Sequence, residues 1–262
     1  MISSTGNSLV KQAAALGKRA RSRRESGLFL VEGPKMFEEL PKDRGEQVFV
    51  TERFLEDPDH QRMVEQVDGK KVVLVTGEVL KSISDTQTPQ GVAAVARQYR
   101  YSLEDIRDGG AKPLVMFLET IQDPGNLGTI LRAGEAAGVT GVIMDRESAD
   151  IYNPTVIRST MGSVYRVPFL YVDELGGTVR EFKGDGLRLY AAHLDGKHAY
   201  DREDYRGACG FLVGNEAKGL RRETADLADA WVRIPMKGNV ESLNAAVASA
   251  LLMFEAARQR RG

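Results

Sequence analysis

Cysteine is almost missing from these 262 residues. Cys209 stands alone, so no disulfide can close within the chain and no multi-cysteine zinc site can be built. Histidine is scarce as well, and His60, His193 and His198 have no metal-ligand spacing among them, so no metal is expected. No apolar run approaches the roughly 20 residues of a membrane span, and the N-terminus lacks the apolar core of a signal peptide. No membrane contact is expected, and a reducing cytoplasm is the expected setting. Neither sign of charge dominates: 36 Lys and Arg stand against 37 Asp and Glu, a net charge of −1. Nucleotide-loop signatures are missing too. Gly219 is followed by Leu220 where a phosphate loop needs Lys and then Ser or Thr, and Gly184-Asp185-Gly186 precedes a strand and has no third glycine. These absences argue against a nucleotide-dependent metabolic enzyme.

What is present is an ordinary globular composition, 42% hydrophobic and 28% charged, at a length that fits one large or two small domains. From Ser8 to Arg24 the pattern is helical, with Leu9, Ala13 and Leu16 on one face. Short apolar strands at 29–31, 48–50, 71–75 and 91–96 alternate with helical stretches and predict a small α/β module. The polar, glycine-paired stretch Gln98 to Lys112 reads as a linker, which sets expected domains at 1–97 and 113–262. Beyond it, strands at 114–118, 141–144, 167–171, 187–192, 210–213 and 231–234 alternate with helices. That alternation predicts a mostly parallel sheet covered on both faces, with ligands beyond the carboxyl ends of its strands.

Three loops at those ends carry chemistry-bearing residues. The first holds Asn126, with Arg132 in a helix expected from about Leu127 to Ala137. An unpaired arginine is costly to bury, so Arg132 must meet a carboxylate, a phosphate or water; a surface salt bridge is the plain alternative. The second runs Gly214-Asn215-Glu216 after a strand, where glycine allows close approach to the backbone. The third follows Ile234-Pro235-Met236, and Glu241-Ser242 can cap a helix of small residues that needs a close-packed neighbour. His193 follows a strand end, where a ligand can also sit, although a core or rim histidine is the plainer reading. Lys11, Lys18, Arg19, Arg21, Arg23 and Arg24 form a local basic cluster with no acid among them. It reads either as a phosphate-binding patch or as a solvated helix face.

Asn126 with Arg132, Gly214 with Glu216, and Ile234-Pro235-Met236 with Ser242-Leu243-Asn244 occur in that order. Together they resemble the three motifs of the SpoU (TrmH) family of RNA ribose 2'-O-methyltransferases, within the SPOUT superfamily. The first half is similar to the small α/β, ribosomal-protein-like substrate-binding domain that many members carry in front. Two positions depart from the family pattern: Ala217 stands where glycine is usual, and Ala245-Ala246 where Val-Ser is frequent. The resemblance implies a deep trefoil knot, homodimers whose sites are completed by both subunits, and S-adenosylmethionine as cofactor. By position Ala192, His193, Gly214, Asn215, Glu216, Ile234, Met236, Ser242, Leu243 and Ala245 would hold it. Arg132 would activate the 2'-hydroxyl, with Asn126, Glu216, Ser242 and Asn244 shaping the site, and the basic cluster and Arg132 would meet RNA. Ribosomal RNA is favoured over transfer RNA, and a catalytically idle RNA-binding or assembly factor is the alternative of another class.

Overall fold

Strands of the second half such as Leu114–Leu118 and Cys209–Val213 are runs of apolar residues, and such runs need cover on both faces. The computed structural model describes residues 1–261. It divides into two units, one of residues 1–99 with 150–165, the other of residues 100–149 with 166 onward. In the first unit α1 (Ser8–Lys18) and α2 (Ala20–Ser26) lead into β1 (Leu28–Glu32), α3 (Pro34–Glu38), β2 (Gly45–Val50), α4 (Glu52–Leu55), α5 (Pro58–Glu65), β3 (Val72–Leu74), α6 (Gly77–Ile83) and β4 (Val92–Arg97). The sheet order is β1-β4-β2-β3, antiparallel except at β2/β3. α1 faces the core with Val10, Ala13, Leu16 and Gly17, while Leu9, expected inside, is 38% exposed. Ala13 and Leu16 are inside as expected, Val10 takes the place of Leu9, and Gly17 lets the helix approach closely: a Cβ there would lie 3.3 Å from the Ile83 carbonyl oxygen.

The chain continues in the second unit with α7 (Leu103–Arg107), β5 (Leu114–Leu118), α8 (Pro124–Ala137) and β6 (Gly141–Asp145), and returns to the first unit for α9 (Pro154–Thr160). It ends in the second with β7 (Phe169–Val172), α10 (Leu175–Gly184), β8 (Arg188–Ala192), β9 (His198–Ala199), β10 (Cys209–Val213), α11 (Arg222–Ala225), β11 (Ala230–Arg233) and α12 (Ala245–Arg260). The returning segment is held in the first unit by Tyr165, whose Oη donates to the Met36 carbonyl at 3.0 Å, and by Asp150, which pairs with Arg23 at 2.7 Å. Arg23 is only 3% exposed and also donates to the Leu16 carbonyl. It is therefore a structural cation, in correction of its expected place in the RNA-facing cluster. The stretch read as a linker has structure of its own. Ser102 and Asp105 form a capping box at the start of α7, and Ile106 is buried in the second unit's core.

The second unit's sheet has seven strands, all parallel, in the order β7-β6-β5-β10-β8-β11-β9. All five residues of β5 are completely buried, as a central strand covered on both faces must be. The chain fills β5, β6 and β7 outward, crosses to β8, and only later inserts β10 between β5 and β8. All strand carboxyl ends lie on one edge, and β10 brings its own end between two segments laid down earlier. Among the described residues, no helix is long and apolar enough to cross a membrane, and no group of three or more His, Cys, Asp or Glu could hold a metal ion.

Candidate active site

At the end of β10 the chain reaches Gly214 and folds back on itself. A Cβ at Gly214 would lie 2.2 Å from the Leu220 amide nitrogen and 2.4 Å from the Gly219 carbonyl oxygen, so no other residue fits without moving backbone. Asn215 ties the turn: its carbonyl accepts from the Gly219 amide at 2.8 Å, and its Oδ1 accepts from the amides of Ala217 and Lys218. Its Nδ2 donates to the Thr120 carbonyl at 2.9 Å, joining this loop to the one after β5. Thr120 has φ of +58°, a left-handed conformation uncommon for a β-branched residue. The strain is held by its hydroxyl, which donates to Asp145 at 2.9 Å.

Asp123 caps α8 by accepting from the Asn126 amide at 2.8 Å, and Pro124 occupies the first turn, where no amide hydrogen is needed. The helix thus starts earlier than expected, and Asn126 belongs to its first turn rather than to the loop. The third loop differs in a related way. Asn244, not Glu241-Ser242, caps α12, its Oδ1 accepting from the amides of Ala246 and Val247. With that oxygen engaged, its Nδ2 must find an acceptor, and it donates to Asn126 Oδ1 at 2.8 Å. Asn126 Nδ2 is then the remaining donor and meets the Glu216 carboxylate at 3.1 Å. One continuous chain of hydrogen bonds, Asn244 to Asn126 to Glu216, therefore joins all three motif loops.

Glu216 also accepts from the backbone amides of Gln122 and Asp123 at 3.3 and 3.1 Å. Burial pushes its pKa up, but the bonds from Asn126, Asp123 and Gln122 outweigh it and hold the carboxyl below its ordinary value. It is a fixed anion at neutral pH.

Beside this network lies a cavity of about 440 Å³ at the carboxyl ends of β8, β10 and β11. Ala192, His193, Gly214, Asn215, Glu216, Ile234, Met236, Ser242, Leu243 and Ala245 all line it. Val213, Leu220 and Leu252 add apolar wall. Among the described residues, none from 236 to 243 makes a hydrogen bond within the chain, so their amides and carbonyls are available to a ligand. The His193 ring packs on Trp231 with centroids 4.2 Å apart, and its Nδ1 accepts from the Asp195 amide. A cavity with both apolar and charged wall, bordered by free backbone donors and acceptors, suits an adenosine-bearing zwitterion.

The SpoU rRNA Methylase family model matches residues 113–254, and the model of an MRM3-like substrate binding domain matches 7–94. The chain belongs to the SpoU rRNA methylase family. It is similar to the 23S rRNA (guanosine-2'-O-)-methyltransferase RlmB of Xanthomonas axonopodis pv. citri, with 36% identity over 74% of this chain and 80% of that one. It is also similar to the 23S rRNA (guanosine(2553)-2'-O)-methyltransferase RlmP of Bacillus subtilis, with 30% identity over 97% of both. Among solved structures, an RNA 2'-O ribose methyltransferase matches at a TM-score of 0.85 and 33% identity over 100% of this chain and 99% of that one. The AdoMet-bound rRNA methyltransferase of Sinorhizobium meliloti matches at 0.85 and 32%, over 98% and 97%.

Set in this family member's structure, Arg132 is exposed on α8 and, among the described residues, has no hydrogen-bond or ion-pair partner. It does not line the cavity. Lys11, Lys18, Arg19 and Arg24 are exposed, and Arg21 pairs with Glu25 at 2.6 Å. Sequence reasoning passed over Glu119 and Thr120. Glu119 is 1% exposed and accepts from the Arg221 amide, Arg221 Nε and Thr224 Oγ1. A carboxylate directly after an all-apolar strand is the signal that could have marked it, since burial there demands partners.

Proposed function

We propose that this chain transfers a methyl group from S-adenosylmethionine to the ribose 2'-hydroxyl of a nucleotide in 23S ribosomal RNA. The observation that carries the reading is the hydrogen-bonded chain Asn244–Asn126–Glu216 beside the cavity lined by Gly214, Met236 and Leu243. Bound there, S-adenosylmethionine supplies an electrophilic methyl group. Backbone groups of 236–243 and the turn at Gly214 hold it, while Glu216 keeps the first and second loops together as a fixed acceptor.

The protein's own chemical task is the hydroxyl. A ribose 2'-hydroxyl is a weak nucleophile at neutral pH and must be oriented and relieved of its proton. Arg132, exposed and without an internal partner, is the group we assign to it. Its planar fork holds the ribose and an adjacent RNA phosphate, and the proton leaves towards that phosphate or water. The RlmB and RlmP relatives are named for guanosine, and we take guanosine as the target here. Exposed Lys11, Lys18, Arg19 and Arg24 extend the contact to the RNA backbone.

The same reading includes a trefoil knot and a homodimer working in the cytoplasm. The late insertion of β10 between β5 and β8, followed by the packing of the last helix α12 on α8, supports the knot. Val247 and Phe254, 49% and 44% exposed at a seven-residue spacing on α12, support a second copy as the cover.

The test is transfer from labelled S-adenosylmethionine to unmodified 23S rRNA, followed by nuclease digestion. 2'-O-Methylguanosine is expected, with a rate lower by roughly 100-fold or more in Arg132→Ala and at least partly lost in Arg132→Lys. No transfer to any ribosomal RNA or particle, or full activity in Arg132→Ala, would overturn the assignment.

A further inference from the structure

A second cavity, of about 510 Å³, opens on the same edge of the large sheet, beyond β6 and β7. Three arginines line it: Arg146, Arg180 and Arg221. Arg221 is built into position. Its Nε donates at 2.9 Å and its amide at 2.7 Å to the buried Glu119 carboxylate, and Thr224 Oγ1 holds that carboxylate from another side. Among the described residues, neither terminal nitrogen of Arg221 makes a hydrogen bond, and the Arg180 side chain makes none. An arginine anchored through Nε by a buried carboxylate presents the rest of its fork as a rigid pair of donors.

The remaining wall decides what that fork can take. Carboxylates of Asp145, Glu147, Asp173, Glu174 and Glu223 outnumber the guanidiniums, and Arg146 is already paired with Asp173 at 2.8 Å. An RNA phosphate, anionic on every side, is repelled by such a lining. A planar group with acceptors on one edge and donors on another is matched. Guanine has this pattern: O6 and N7 accept a bidentate arginine, and N1–H and the 2-amino group donate to a carboxylate. Adenine sets an amino donor where the fork needs an acceptor.

The cavity is also adjacent to the methyl-transfer site. Thr120 links the two linings, its carbonyl accepting from Asn215 of the first and its hydroxyl donating to Asp145 of the second. Arg221 follows directly on the loop that Gly214 closes against Leu220.

We propose that this second cavity reads the base of the target nucleotide, with Arg221 on the guanine O6/N7 edge and a carboxylate of the opposite wall on N1–H and the 2-amino group. The inference rests on the methyltransferase function above and assigns base specificity to residues outside the three motifs.

The experiment uses the full chain and the 23S rRNA that it methylates, with the methylated nucleotide first mapped. Arg221→Lys keeps the ion pair to Glu119 but loses the fork, and it should lower kcat/KM by about 10- to 100-fold while leaving S-adenosylmethionine binding by calorimetry unchanged. Arg180→Gln, at an exposed position, should act in the same direction more weakly. The deciding measurement replaces the target guanosine by 7-deazaguanosine in a ligated transcript. The wild type should lose about tenfold and Arg221→Lys should lose little more, because the contact is already gone. A target that is not guanosine, or an equal loss on 7-deazaguanosine in both proteins, would overturn base reading while leaving the methyltransferase assignment intact. No methylation by the wild type would overturn both.

Discussion

Asn126→Asp puts the hydrogen-bond chain between the three loops to its hardest test, because it changes one atom and no shape. In the native site Asn126 Nδ2 donates to a Glu216 oxygen 3.1 Å away. The substitution replaces that donor by an anionic oxygen, so two carboxylates face each other at that distance. At an effective dielectric constant of about 20, unit charges about 3 Å apart repel by about 5 kcal/mol. The cost at pH 7.5 is capped at a similar value, because one carboxyl can instead take up a proton. The favourable effect of a negative charge in the first turn of α8 returns less than about 1 kcal/mol. A net destabilisation of about 2–4 kcal/mol at pH 7.5 is expected. The introduced carboxyl has a raised pKa in the folded state. Its folded form is therefore relatively most stable below the unfolded pKa of about 4, and that advantage disappears as pH rises through the folded value. Urea unfolding should show the deficit shrinking to about 1 kcal/mol near pH 5. Asn126→Ala, which only removes hydrogen bonds, should cost about 1–2 kcal/mol without that pH trend. Wild-type stability for Asn126→Asp at pH 7.5, or a deficit that does not change with pH, would refute the bond as described.

Gly214→Ala should force the 214–220 turn apart, since the new carbon meets backbone atoms at 2.2 Å; S-adenosylmethionine affinity by calorimetry should fall by about 100-fold, and near-native affinity would contradict the geometry. Arg23→Ala should lower stability by about 3–5 kcal/mol, because it leaves Asp150 without its buried partner, while RNA affinity of the folded fraction stays unchanged. Phe254→Glu should convert the expected dimer to monomer in sedimentation, and an unaltered dimer would move the interface off α12.

Much of this protein was legible in local patterns. The alternation of apolar strands with helices gave the parallel sheet and the edge at which Asn126, Gly214 and Met236 stand, because periodicity and strand length are properties of a few consecutive residues. Glycine at 214 is likewise local, set by backbone angles; the start of α8 at Asp123-Pro124 is a local cap too, although the sequence pattern predicts it at about Leu127. Charge type was legible, but charge use was not: Arg23 and Arg24 are neighbours of the same residue type, yet one is buried on Asp150 and the other meets solvent. On α1 the helical period placed Ala13 and Leu16 inward, while packing decided that Val10 rather than Leu9 completes that face.

What only the tertiary structure decided are the pairings between distant residues. Asn244 meets Asn126 across 118 positions, Glu216 meets Asn126 across 90, and Glu119 meets Arg221 across 102. Each depends on β10 being inserted between β5 and β8 after both have been laid down, and strand order is carried by no single segment. So is the return of residues 150–165 to the first unit. The sequence by itself determined which side chains stand at the strand ends; the order of the strands determined which of them touch.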